Sequence, residues 1–293
     1  MNPLKIVDIE FYYLLFLRRV FGKKVKNLDL VDFRKNMATL EPLFILSTGR
    51  CGTKWIDELL KSDSSIISIH HIHPVMRSQA KLVYELNYPE SKSREQMLMK
   101  EMFLGGREEV FLQGMKVDKN IVFTDSRMTF FAEVIYDLFP KAKFVHLHRH
   151  PGGVVSSGVN RGWYTSNSQS ELNRIYPGKD NAYYTKWCDM DRIEKNAWLW
   201  SETNKWILDF LKKVPAEQKF DLSFDNWSPE SIQAFCRFCG VEKSTNEIAS
   251  RMKKKVNKQQ KKELGHYKTW PKEDQEKLAT LTADISKQLS YSL

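Results

Sequence analysis

Within "FILSTGRCGTKWIDELL" (44–60), an apolar run gives way to Gly49, Arg50, Gly52, Thr53 and Lys54 before helical spacing resumes. Those residue types can grip a phosphate. Glycine lets the backbone approach an anion, and a strand-to-helix turn leaves free N–H groups at the positive end of the helix dipole. The loop departs from the G-x-x-x-x-G-K-[ST] pattern of ordinary nucleotide triphosphatases. No glycine stands five positions before Gly52, Lys54 follows Thr53 instead of Gly52, and Trp55 takes the place of the metal-binding hydroxyl. The phosphate-gripping part is present and the magnesium-holding part is missing, which disfavours phosphoryl transfer from ATP.

Other residues could share this chemistry. "HLHRHPGGVVSSG" places Arg149 at a strand end and Ser157 eight residues on. A guanidinium grips phosphate bidentately, and a serine from the following helix adds a hydroxyl. Transfer to a hydroxyl or amine also needs a base beside the acceptor. "IHHIHP" supplies imidazoles: if the strand continues through it, His71 and His73 share one face and His70 points the other way. Asp125, in "FTDSR", is the alternative base.

A sulfonate donor suits the loop better than ATP. The reacting group carries less charge, and cationic side chains alone can stabilise its leaving phosphate. "STGRCGTKW" resembles the 5′-phosphosulfate loop of the sulfotransferases that use 3′-phosphoadenosine 5′-phosphosulfate (PAPS). That loop has a basic residue, a small residue, Gly, Thr and often a Trp two residues on, here Arg50, Cys51, Gly52, Thr53, Lys54 and Trp55. "HLHRHPGGVVSSG" resembles the family's 3′-phosphate segment, with Arg149 and Ser157 as its readers. "KQQKKELGHYKTW" (258–270) resembles the closing C-terminal loop, with Lys261, Lys262, Gly265, His266 and Lys268 as candidates. In the heparan-type members the base is a Glu in an E-x-H at the end of the second strand. His71-x-His73 occupies that position, with His in place of Glu.

The resemblance implies an α/β fold with a central parallel sheet, P-loop-like. It implies PAPS as donor, 3′-phosphoadenosine 5′-phosphate (PAP) as product, no metal, and in-line transfer to a hydroxyl or amine of a small-molecule or saccharide acceptor. A catalytically inactive nucleotide-binding relative is the competing reading. Nothing in the sequence selects the acceptor or the oligomeric state.

The elements that must position these residues are legible as periodicity. "LFILS" (43–47), "SIISIHHI" (65–72), "KFVHLHR" (143–149) and "KFDLSF" (219–224) read as strands. Helical spacing occupies 53–62, 128–139, 152–160, 190–213 and 271–289, and another helix starts at Ser228 with Pro229 in its first turn. Strand, turn, helix, strand in this order predicts a parallel sheet covered by helices. The 293 residues are read as one domain, with a helical extension over 1–40 and an irregular insertion at 161–189. Trp163, Trp187, Trp198, Trp200 and Trp206 crowd the insertion and the helix after it, suggesting an aromatic acceptor wall or lid.

Composition narrows the class. The net charge is +10, but eight Lys or Arg against one Glu fall between Arg251 and Lys268. That local excess argues for one anion-binding segment and against a nucleic-acid surface. The four cysteines do not form a secreted disulfide pattern, and Cys236 and Cys239 read as buried thiols on a helix. The uncharged run Phe11 to Leu17 is far below the ~20 residues of a membrane span. A cytoplasmic protein is expected.

Overall fold

The computed structural model describes residues 26, 28–165, 174–253 and 263–293. In chain order the regular elements are α1 (Leu30–Asn36), β1 (Leu43–Leu46), α2 (Thr53–Leu60), β2 (Ile66–Ile69), α3 (Arg77–Glu85), α4 (Ser93–Val117), β3 (Asn120–Phe123), α5 (Ala132–Leu138), β4 (Lys143–His148), α6 (Pro151–Val159), α7 (Arg192–Leu211), β5 (Lys219–Ser223), α8 (Pro229–Phe238), α9 (Thr245–Met252) and α10 (Lys272–Gln288). The strands form one parallel sheet, order β2-β3-β1-β4-β5. The expected architecture is therefore the observed one.

Strand β1 shows why the sheet sits where it does. All four of its residues are buried, as befits a central strand covered on both faces. Phe44 and Leu46 enter one apolar layer with Phe103, Phe123, Phe144 and Phe210. Leu43 and Ile45 enter the other with Ile56, Val145, Leu147 and Phe235. The two-residue alternation thus splits one strand between two cores, each fully buried side chain contributing about 1.5–3 kcal/mol.

Three differences from the sequence reading matter. β2 ends at Ile69, so "HHI" is not strand; the last ladder bond is Thr124 N–H to the Ile69 carbonyl (2.8 Å). β3 was not read as a strand: its short run opens on the exposed Asn120, separated from α4 by only two residues, with no turn residue such as Gly or Pro to set it off. Helix α4, 25 residues long, was hidden by Gly105 and Gly106 at its centre, each costing about 1 kcal/mol relative to Ala. Cys236 and Cys239 are buried as expected. Residues 161–165 and 174–189 form turns and no regular element.

The topology sets the site. The chain leaves β1 toward β2 on one side and leaves β4 toward β5 on the other. Their carboxyl ends diverge, and ligands of open α/β sheets bind in that crevice. Among the described residues no helix is long and apolar enough to cross a membrane. The apolar segment around Phe11–Leu17 lies outside them.

Candidate active site

The loop between β1 and α2 is held open by its own backbone. Gly49 (φ +80°), Arg50 (+64°) and Gly52 (+94°) all take left-handed conformations. For Arg50 this stores about 1–2 kcal/mol of strain, which the surrounding bonds must offset. The Ser47 hydroxyl oxygen accepts from Gly49 N–H (3.1 Å), and Ser47 exchanges two bonds with the Thr129 side chain (3.0 Å each). A Cβ on Gly52 would lie 2.5 Å from the Trp227 ring, so no other residue fits there unchanged.

The matched loop residues divide by role. Cys51 is fully buried and donates to the Gly49 carbonyl (3.1 Å). Burial pushes its thiol up, so it packs the loop and is no nucleophile. Thr53 is buried at the first position of α2. Lys54 is exposed on that helix, and Trp55 packs on Trp227 (centroids 4.9 Å apart).

Arg149 and Ser157 arrive from the other side of the crevice. Arg50 Nε donates to Ser157 Oγ (2.8 Å), and Arg149 Nη1 donates to the Arg50 carbonyl (3.2 Å). Arg149 lies over the Phe224 ring (4.6 Å), and the Trp200 indole N–H donates to its carbonyl (2.9 Å). The buried Arg149 Nε has no hydrogen-bond partner among the described residues; the nearest acid, Asp225, is 4.0 Å off and accepts instead from His150 N–H (2.6 Å). Burial, then the charge of Arg161, lowers the Arg50 pKa to about 10, leaving it cationic at neutral pH.

Arg50 and Arg149 thus meet in one crevice, with Asp225 as the nearby acid. An anion between them would offset that like-charge repulsion and accept from the N–H groups that face the cavity. The space exists: a cavity of about 510 Å³ is lined by Arg50, Arg149, Ser157, Gly265, His266 and Lys268. Gly265 and His266 line this cavity, whereas Lys261 and Lys262 lie outside the described residues.

The candidate bases sit at the ends of β2 and β3. The turn after β3 abuts the loop, since Ser126 Oγ is 3.2 Å from where a Gly49 Cβ would stand. Asp125 is buried and its two oxygens accept from Arg127 Nε (2.7 and 2.8 Å). Arg127 in turn donates to His71 Nδ1. Because a guanidinium only donates, the His71 proton sits on Nε2. His73 is exposed, two residues beyond, and shares no strand face with His71 because the strand has already ended.

His70, set aside by the alternation argument, has the complementary arrangement. Its Nδ1 faces the Thr124 carbonyl (3.3 Å) and hydroxyl oxygen (3.1 Å), and that hydroxyl donates to the Ile69 carbonyl (3.3 Å). The Thr124 carbonyl can only accept, so a proton on Nδ1 satisfies it and leaves the lone pair on Nε2. Burial lowers both His70 and His71 below the usual histidine value of 6.5.

Sequence reasoning also missed Arg127, Arg161, Asp225, Phe224 and Trp227. Phe224, Asp225 and Trp227 follow β5 directly, a place the switch-point rule marks once the strand order is known. The aromatic residues of the insertion mostly pack one another: Trp187 meets Trp198 edge to face (5.0 Å), and Trp163 and Tyr164 join the same cluster. Among the described residues no group of His, Cys, Asp and Glu is placed to hold a metal ion.

Comparison with known proteins gives three findings. The model of a family described as sulfotransferase matches residues 42–245. Among solved structures, the sulfotransferase domain from the curacin biosynthetic pathway is similar, at 19% identity and a TM-score of 0.53, covering 87% of this chain and 99% of that one. The sulfotransferase STF9 from Mycobacterium avium is 13% identical with a TM-score of 0.54, covering 97% of this chain and 82% of that one. No curated protein matches by sequence.

Proposed function

The chain belongs to the sulfotransferase family, and from that premise we propose that it moves a sulfonate group from PAPS to a hydroxyl or amine of a small-molecule or saccharide acceptor. The observation that carries the donor assignment is the meeting of Arg50, Arg149 and Ser157 at the switch point, with the Arg149 Nε left unpartnered. In this reading the free N–H groups of the 49–53 loop and Arg50 take the 5′-phosphate, while Arg149 and Ser157 take the 3′-phosphate. Trp55, Trp227 and Phe224 border the same loop and offer flat apolar surface to a base. In this reading the chain acts as one domain.

PAPS supplies the sulfonate and retains the bridging oxygen when the sulfur–oxygen bond to its phosphate breaks. The protein's residues do the rest. Arg50 is cationic throughout, so it stabilises the charge growing on that oxygen and donates no proton. A histidine at the end of β2 takes the acceptor's proton. A lone pair on Nε2 supports His70 for that role, while His71, bound to Arg127 through Nδ1, carries its proton on Nε2 and has no lone pair to spare.

Arg50→Ala should weaken both PAP binding and turnover, because it touches the ground-state phosphate and the developing charge. Millimolar EDTA should leave turnover within about twofold, since Trp55 stands where a magnesium-binding hydroxyl would be needed. Loss of activity to EDTA, restored by magnesium or zinc, would contradict the donor chemistry. The reading as a whole is tested by transfer from sulfur-labelled PAPS across an acceptor panel of phenols, alcohols, amines and saccharides. Labelled product from at least one class is expected; PAP binding without any transfer would count against it.

A further inference from the structure

The ends of β2 and β3 carry a surplus of positive charge that the transfer chemistry leaves unused. Arg107, on α4, is 1% exposed, and its neighbour Gly106 lies against the 70–76 segment, where a Cβ would meet Met76 Sδ at 2.4 Å. Arg107 Nη1 donates to the Gly106 carbonyl (2.6 Å), whereas its buried Nε and Nη2 donate to nothing among the described residues. Asp125 attracts this guanidinium and Arg127 repels it. Asp125 makes no bond to it, because both carboxylate oxygens accept from Arg127 Nε.

Two more cations open outward at the same place. Arg127 spends Nε on Asp125 and Nη2 on the His70 carbonyl (3.4 Å) and His71, so its Nη1 reaches the surface without a bond. Arg77, at the first position of α3, is exposed, has no hydrogen bond or ion pair among the described residues, and its charge is felt by His71. Three guanidiniums thus share one carboxylate at this end of the sheet. Asp57, the other acid felt by His70, is already paired with Lys61 (3.2 Å) and accepts from Ser68 (2.7 Å). A buried cation without a partner is costly, and an anion brought beside it offsets that cost.

We propose that the acceptor carries an oxyanion, a carboxylate or a sulfate ester, beside its nucleophile, and that Arg127 Nη1 and Arg77 bind it. The proposal rests on the transferase reading above. Arg107 does not touch the acceptor. It is a fixed charge behind Arg127 that strengthens the attraction in a region of low dielectric. The surplus also has a use in the transfer itself. The donor's sulfonate and phosphates repel an anionic acceptor, and cations on the acceptor side offset that repulsion.

The experiment measures transfer from sulfur-labelled PAPS by the full chain to matched acceptors that differ in one group. The pairs are 4-hydroxyphenylacetate and its amide, 6-hydroxyhexanoate and its amide, β-alanine and its amide, and methyl glucuronide and methyl glucoside. In every pair that accepts sulfonate, the anionic member should have a kcat/KM about tenfold higher or more. That preference should shrink several-fold as sodium chloride rises from about 0.05 to about 0.5 M. Arg77→Glu should erase it, costing the anionic member about tenfold more than the neutral one, with PAP affinity within about twofold. Arg107→Met should reduce it about threefold. Arg77→Glu, at an exposed position, carries the test if Arg107→Met does not fold by circular dichroism. Equal kcat/KM within every active pair, a preference for the neutral members, or a preference that survives Arg77→Glu would overturn the anion site alone. Transfer to none of the pairs by protein that binds PAP would overturn the transferase reading and the anion site with it.

Discussion

Replacing Arg149 with alanine is expected to weaken PAPS binding by about 2–4 kcal/mol, roughly 30- to 1,000-fold. The magnitude follows from what the side chain does. Its Nη1 donates to the Arg50 carbonyl, its plane lies over Phe224, and its Nε is packed beside Gly153 and 4.0 Å from Asp225. A charged group pre-oriented in this way loses little freedom when a phosphate arrives. The penalty should shrink for adenosine 5′-phosphosulfate, which lacks the 3′-phosphate. Equal losses for the two donors, measured by titration, would show that Arg149 does not read that group.

The second large effect falls on the chemical step. His70→Ala should lower kcat by about 10²–10⁴ while leaving PAP affinity nearly unchanged. His71→Ala should cost roughly tenfold or less, because its Nδ1 is committed to Arg127. The sign of the pH dependence follows from burial, which lowers the His70 pKa below 6.5. A base with a depressed pKa is neutral and ready at pH 7, so kcat should be flat from pH 7 upward and fall below the ordinary histidine value. A large loss in His71→Ala beside a mild one in His70→Ala would move the base to His71. Mild losses in both would take it away from β2 altogether.

The half of the crevice proposed for the donor was legible because it is local. A strand, a glycine turn and a helix start are contiguous in sequence, and each announces itself: apolar run, Gly49 and Gly52, then the amphipathic spacing of 53–60. The same holds for β4, Arg149 and Ser157. The acceptor half was less legible because it depends on where a ladder stops. β3 is four residues long, so β2 has no partner beyond Ile69, and the alternation that set His71 against His70 ends one residue too soon. Nothing in "IHHIHP" encodes the length of a strand fifty residues later.

Long-range pairing hid the rest. Asp125 reads as a candidate base in sequence, but only the fold shows its oxygens taken by Arg127 and a buried Arg107 nearby. A carboxylate whose two oxygens already accept from a guanidinium is less available to an acceptor than its sequence position suggests. Asn160 carries no motif at all. Its hydrogen bonds go to a segment a hundred residues on that lies against it.

The most direct test of the account is calorimetric titration of purified protein with PAP and, separately, with adenosine 5′-phosphate, each with and without magnesium. The meeting of Arg50, Arg149 and Ser157 in one crevice predicts saturable, one-to-one PAP binding that magnesium does not change. Adenosine 5′-phosphate should bind at least about tenfold more weakly, because one charge-assisted phosphate contact is worth about 1.5–3 kcal/mol. Equal affinity for the two nucleotides, or no binding of PAP at all, would contradict the assignment of this crevice as the donor site.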